Sequence, residues 1–231
     1  MRTAIAHAPD VADQSAFERQ RLSLGLLALI WAAGLAGYLS GLTEWPALFI
    51  YVLGSLAITL MYCRRYSAWK RVGITRDNLA AALRWGIVAG GLLMLMDMAN
   101  TWMYYRGGGA PLATMQNILV GMRMVYLFPV LVLAEEWLWR GMLFSALLAR
   151  GMNRHLVVIL TTLLYALNHY AVAPVPLAER TLMAIMALPI GIIGGYLVLR
   201  TRSVWAPVAL HTLVMISMIA DIFVLPGLAR G

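Results

Sequence analysis

Residues 124–149 read MVYLFPVLVLAEEWLWRGMLFSALLA. The run is long enough to cross a bilayer, since about 20 apolar residues span roughly 30 Å of hydrocarbon. Yet it carries Glu135, Glu136 and Arg140 near its middle. Each such group costs on the order of 2.5–3.5 kcal/mol at a bilayer centre, so the three are tolerable only where a helix turns them toward protein or a water-filled cavity. The stretch therefore predicts an inward-facing helix of an all-α membrane protein, a polytopic bundle enclosing a polar cavity.

The rest of the chain agrees. Of 231 residues, 62% are hydrophobic and only 12% charged, well outside the composition of soluble domains. Six further apolar stretches, at about 22–42, 46–63, 79–103, 155–171, 181–199 and 204–225, join 124–149 as candidate spans. An amphipathic or half-helical piece at about 111–122 brings the expectation to seven or eight transmembrane helices. Runs this continuous exclude a β-barrel. No linker, repeat or charge block divides the chain, so residues 1–21 are expected as a cytoplasmic segment and 22–231 as one transmembrane domain.

A net charge of +8 does not imply nucleic acid, because the basic residues sit in short clusters between apolar runs. They report topology instead. With the N-terminus cytoplasmic, the inner segments hold Arg2, Arg19, Arg21, Arg64, Arg65, Lys70, Arg71, Arg76, Arg150, Arg154, Arg200 and Arg202, against Arg106, Arg123, Arg180 and Arg230 outside. That asymmetry favours N-in, C-out in a plasma membrane. Trp45, Trp69, Trp102 and Trp205 fall near span ends as headgroup anchors, and Gly37/Gly41, Gly86/Gly90 and Gly191/Gly195 have the spacing of close helix contacts. Cys63 is the sole cysteine, which leaves no intrachain disulfide and no thiolate metal cluster.

Within the charged stretch, Glu136 precedes Arg140 by four positions, the favourable order for an ion pair along one helix face. Glu135 is turned about 100° away and lacks that partner. A lone carboxylate in a cavity suits a group that takes a proton from water and hands it on. His169 ends the fifth span and His211 lies in the seventh, which completes a set of two histidines and one carboxylate. Two readings are open: zinc held by Glu135, His169 and His211 with one free position, or metal-free hydrolysis in which the histidines orient the water. Asp97, Asn100 and Asp221 are further polar residues at membrane depth, with Asp97 read as a helix–helix hydrogen bond and Asp221 as a wetted rim residue.

The residues EEWLWR at 135–140 resemble the EExxxR motif of the CAAX prenyl-protease and bacteriocin-processing family of intramembrane endopeptidases. YALNH at 165–169 is similar to its FxxxH motif, with Tyr165 replacing Phe, and SVWAPVALH at 203–211 resembles the segment of its third motif. The likeness covers about 124–216. It implies Glu135 as base with His169 and His211 catalytic, supported by Glu136, Arg140 and Tyr165, and a membrane-associated protein or peptide as substrate. Both metal-dependent and glutamic mechanisms are associated with the family; the glutamic one, without cofactor, is preferred here.

One departure stands out. Where the family has Asn or Asp four residues beyond the last histidine, this chain has Met215; Asn168 or a backbone N–H is the substitute oxyanion donor expected, or else a subgroup with another arrangement. The rival expectations are a non-catalytic immunity or scaffold protein of the same fold and a proton-coupled transporter, since carboxylates and histidines also build proton relays. No oligomeric state follows from the sequence.

Overall fold

The computed structural model describes residues 11–41 and 44–230. Arg2, counted in the charge asymmetry, and the first ten residues of the expected N-terminal segment lie outside the described residues. Regular structure is helical throughout: α1 (Val11–Leu39), α2 (Trp45–Tyr66), α3 (Leu79–Arg106), a single turn α4 (Ala113–Gln116) that widens into a π turn (Asn117–Gly121), and a 3-10 turn (Met124–Tyr126). Next come α5 (Phe128–Glu136), a π turn (Trp137–Leu143), α6 (Phe144–Ala149), α7 (Arg154–Val172), α8 (Leu177–Thr201), α9 (Trp205–Phe223) and α10 (Leu225–Arg230).

Among the described residues six helices are long and apolar enough to cross a membrane, namely residues 14–39 of α1 together with α2, α3, α7, α8 and α9. The protein is a multi-pass membrane protein. α5, the π turn and α6 follow without a break as a further helical rod at the expected fourth span. This rod is the centre of the bundle, because every residue from Leu138 to Phe144 is buried and the π turn touches α1, α2, α7 and α8. A helix buried on all sides has no outer face on which to place polar groups. Its charges therefore have to be satisfied by the surrounding helices.

Close approach is built from small residues. A Cβ on Gly86 would lie 2.2 Å from the Ala206 carbonyl oxygen and one on Gly90 2.7 Å from the Leu210 Cα, which is why α3 and α9 run in step at near contact. Gly191 and Gly195 do the same for α8 against Thr162 and Val158 of α7. Gly41 is no packing residue: it sits in the turn after α1 at φ +69°, and it is Gly34 that meets the α7 backbone at Ala171. Only glycine takes that turn conformation without steric cost.

α1 begins well before the apolar run at 22. Ser15 and Arg19 are buried against the end of α2, where the Tyr62 hydroxyl lies 2.6 Å from Ser15 Oγ and accepts from Arg19 Nη1 at 3.0 Å. The polar start of this helix is thus packed. At the opposite end, Arg180 donates to the Val175 and Tyr170 carbonyls at 2.7 Å each and pairs with Glu44, so that one buried guanidinium ties the loop after α1 to the loop after α7.

Candidate active site

Glu135 and Glu136 end α5, where the ladder changes from α to π. Glu136 is fully buried and its Oε1 accepts from Arg140 Nη1 at 3.3 Å, the ion pair expected from spacing, and from His211 Nδ1 at 3.0 Å. The guanidinium lies over the Tyr165 ring at 4.8 Å, and α8 passes beside it at Gly194. A Cβ there would stand 3.6 Å from Arg140 Nε.

Among the described residues, no arginine forms an ion pair with Glu135. Its Oε2 accepts from the Tyr165 hydroxyl at 3.3 Å and lies 3.6 Å from His211 Nε2. His211 on α9 therefore spans both glutamates. With its Nδ1–H given to Glu136, a neutral ring turns the Nε2 lone pair toward Glu135, so a proton held between these two groups has a short path from one to the other. His169, one turn beyond Tyr165 on α7, has Nδ1 3.1 Å from the Tyr165 carbonyl, and its ring packs edge-on against that of Tyr165 at 5.0 Å.

These side chains meet at one wall of a cavity of about 110 Å³ lined by Glu135, Tyr165, His169 and His211 and otherwise apolar. Methionines 115, 124, 183, 186, 215 and 218 make up much of the remainder. Residues of the short segment between α3 and α5 (Met115, Ile118, Met124) and of the loop after α7 (Ala173, Pro174, Val175) also line it. The segment expected at about 111–122 as a half-helix is thus a piece of cavity wall. In α8, Pro189 sits at the same level, between Met186 and Ile190, and its missing N–H interrupts the helical ladder there.

Met215 faces the cavity with a thioether where the family pattern has a hydrogen-bond donor. Asn168, the expected substitute, is buried on another side of α7, where its Oδ1 accepts from Trp31 Nε1 at 3.0 Å across the interface with α1. Sequence reading missed Tyr51. This fully buried residue of α2 accepts the Trp139 Nε1–H at 2.6 Å and sets its hydroxyl beside Glu135. A lone tyrosine in the middle of an apolar span is the signal that points to such a role, because its hydroxyl needs a buried partner.

Asp97 accepts from Ser217 Oγ at 2.6 Å, the expected helix–helix bond between α3 and α9, and it does not touch a histidine. Asp221 is buried beside Asp97, where a wetted rim position had been expected. Among the described residues, no group of three His, Cys, Asp or Glu side chains is arranged to hold a metal ion.

No curated protein and no solved structure matches the chain. Residues 115–217, a little under half of the sequence, match the family model described as Type II CAAX prenyl endopeptidase Rce1-like. The matched residues include Glu135, Glu136, Arg140, Tyr165, His169 and His211, and the family model is similar to the family to which the three motifs pointed.

Proposed function

We propose that the protein is an intramembrane endopeptidase that hydrolyses a peptide bond of a membrane-associated substrate with water activated by Glu135. The observation that carries this reading is the convergence of Glu135, His169 and His211 on one cavity wall, with Glu135 left free of the ion pair that occupies Glu136. A cavity of about 110 Å³ has room for several waters, each needing roughly 10–15 Å³ on this measure. Glu135 takes the proton of the attacking water. His211 is within reach to receive it and pass it to the leaving amine, and His169 stands at the same wall to hold the water or the developing oxyanion. Glu136 and Arg140 fix the orientation of the His211 ring through Nδ1.

Zinc is the competing mechanism. It would draw on Glu135 and the Nε2 atoms of His169 and His211, whose Nδ1 atoms are turned to the Tyr165 carbonyl and to Glu136 respectively. An Nδ1 partner of this kind is shared by metal-bound and purely hydrogen-bonding histidines, so the metal-free preference rests on the family resemblance. Zinc that stays stoichiometrically bound through purification, with chelator-sensitive activity restored by zinc, would decide for the metal.

Glu135→Gln is the direct test. With a cleaved membrane peptide as readout, it should lower turnover by about 10²–10⁴-fold, the typical contribution of a positioned base, while insertion and thermal unfolding stay near wild type. Cleavage at the wild-type rate would overturn the assignment, and unchanged biological function in the triple alanine variant of Glu135, His169 and His211 would favour the scaffold reading. The distribution of Arg and Lys supports a cytoplasmic N-terminus in the plasma membrane, with the cavity toward the outer side.

A further inference from the structure

At the end of the bundle remote from the Glu135 cavity, the loop between α2 and α3 and the ends of α6 and α8 enclose a second cavity of about 350 Å³. Among the described residues, its lining holds four cations, Lys70, Arg71, Arg140 and Arg202, and no acid. Their charges are unequally compensated. Lys70 is paired with Asp77 at 2.7 Å, which holds Asp77 below and Lys70 above their ordinary values. Among the described residues, Arg71 binds only neutral oxygens, Ser15 Oγ at 3.1 Å and the Tyr66 carbonyl at 3.0 Å. Arg202 is the exposed left-handed cap of α8, and no carboxylate among the described residues pairs with it.

Arg140 belongs to both cavities' surroundings. Its Nη1 holds Glu136, yet among the described residues its Nη2 has no hydrogen-bond partner although the side chain is only 2% exposed. A buried donor left unsatisfied is costly, and an anion entering the pocket that Arg140 lines would satisfy it. The pocket is also rigidly built. A Cβ on Gly141 would lie 2.9 Å from Val72 Cγ1, so the loop rests directly on the π turn, and the Gly73 carbonyl accepts from Val204 N at 3.1 Å.

We propose that this pocket binds a phosphate group, either the headgroup phosphate of an anionic lipid or free phosphate, with Arg71 and Arg202 at its mouth and Arg140 at its floor. Guanidinium forks match phosphate oxygens in pairs, and the cluster lies at the basic rim of the bundle, where anionic headgroups collect. The apolar walls, Phe144, Leu148 and Val198, suit the first carbons of an acyl chain. The bound group would share Arg140 with Glu136. The site stands independently of the peptidase reading, because binding is measured without turnover.

The full chain in uncharged detergent micelles is titrated with inorganic phosphate, short-chain phosphatidylglycerol and short-chain phosphatidylcholine, and thermal unfolding is followed. Saturable stabilisation by phosphatidylglycerol but not phosphatidylcholine identifies a lipid headgroup, and equal stabilisation by inorganic phosphate identifies free phosphate; either supports the site. Arg202→Gln and Arg71→Gln should each weaken the apparent affinity about tenfold, the loss of one charged hydrogen bond, whereas Arg154→Gln, outside the pocket, should not. Arg71 also holds Ser15, so Arg202→Gln, which breaks no side-chain hydrogen bond or ion pair among the described residues, decides if the other variant unfolds. No saturable effect of either anion, or an affinity unchanged in Arg202→Gln, overturns the proposal.

Discussion

Tyr165 does work that a phenylalanine cannot. Its hydroxyl donates to Glu135, its ring carries the Arg140 guanidinium, and its backbone carbonyl faces His169 Nδ1. Met215 puts a thioether into the same cavity where the family pattern has a hydrogen-bond donor. Tyr165→Phe should keep the ring stack and lower cleavage by about 10-fold or more, as expected for one hydrogen bond to a charged group. Met215→Asn in that background should recover part of the loss, and an unaffected rate in Tyr165→Phe would show that the hydroxyl is not used. The ion pair at 136 and 140 was legible from four-residue spacing alone. The Trp139–Tyr51 bond was not, because its partners are separated by 88 positions and no local pattern links them.

At the scale of elements, the helices that hold His211 and Asp97 are set by glycine. Gly86→Ala would push a methyl group to 2.2 Å from the Ala206 carbonyl oxygen, a backbone atom that cannot swing aside. Overpacking of this kind typically costs about 1–3 kcal/mol, and thermal unfolding in detergent should fall accordingly. Gly91→Ala on the same helix, where a Cβ meets nothing within 4 Å, should be close to neutral. The extents of α2, α3, α7, α8 and α9 followed closely from hydropathy, since length and composition decide spans. The true start of α1 did not, because Ser15 and Arg19 look like solvated tail residues until Tyr62 of another helix covers them. Nor did the sequence show where α geometry gives way to π at 137–143, since both accept the same apolar residues.

For the molecule as a whole, two polar clamps lie at opposite ends. Arg180 joins Glu44 and two carbonyls at the end near the Glu135 cavity, while the arginine-lined pocket marks the other. Removing one partner of a buried pair strands the other's charge, so Arg180→Met should cost about 3–5 kcal/mol, and Glu44→Leu in the same chain should restore much of it. Thermal unfolding of the single and double variants measures this. Arg180→Met should also raise KM, because Val175, which it holds, lines the cavity. An unchanged KM would separate the clamp from substrate entry.

The widened turn at 137–143 makes the count of residues in the central rod as consequential as their identity. Excising one residue there would let the backbone relax to its commoner winding and swing the preceding glutamates by about 100° relative to Arg140 and Gly141. Exchanges among Leu, Met and Phe in that turn should be borne lightly, whereas single-residue deletions should silence the protein without expelling it from the bilayer. A deletion scan from 137 to 143, read beside a substitution scan of the same positions, would show the frame itself to be a catalytic requirement.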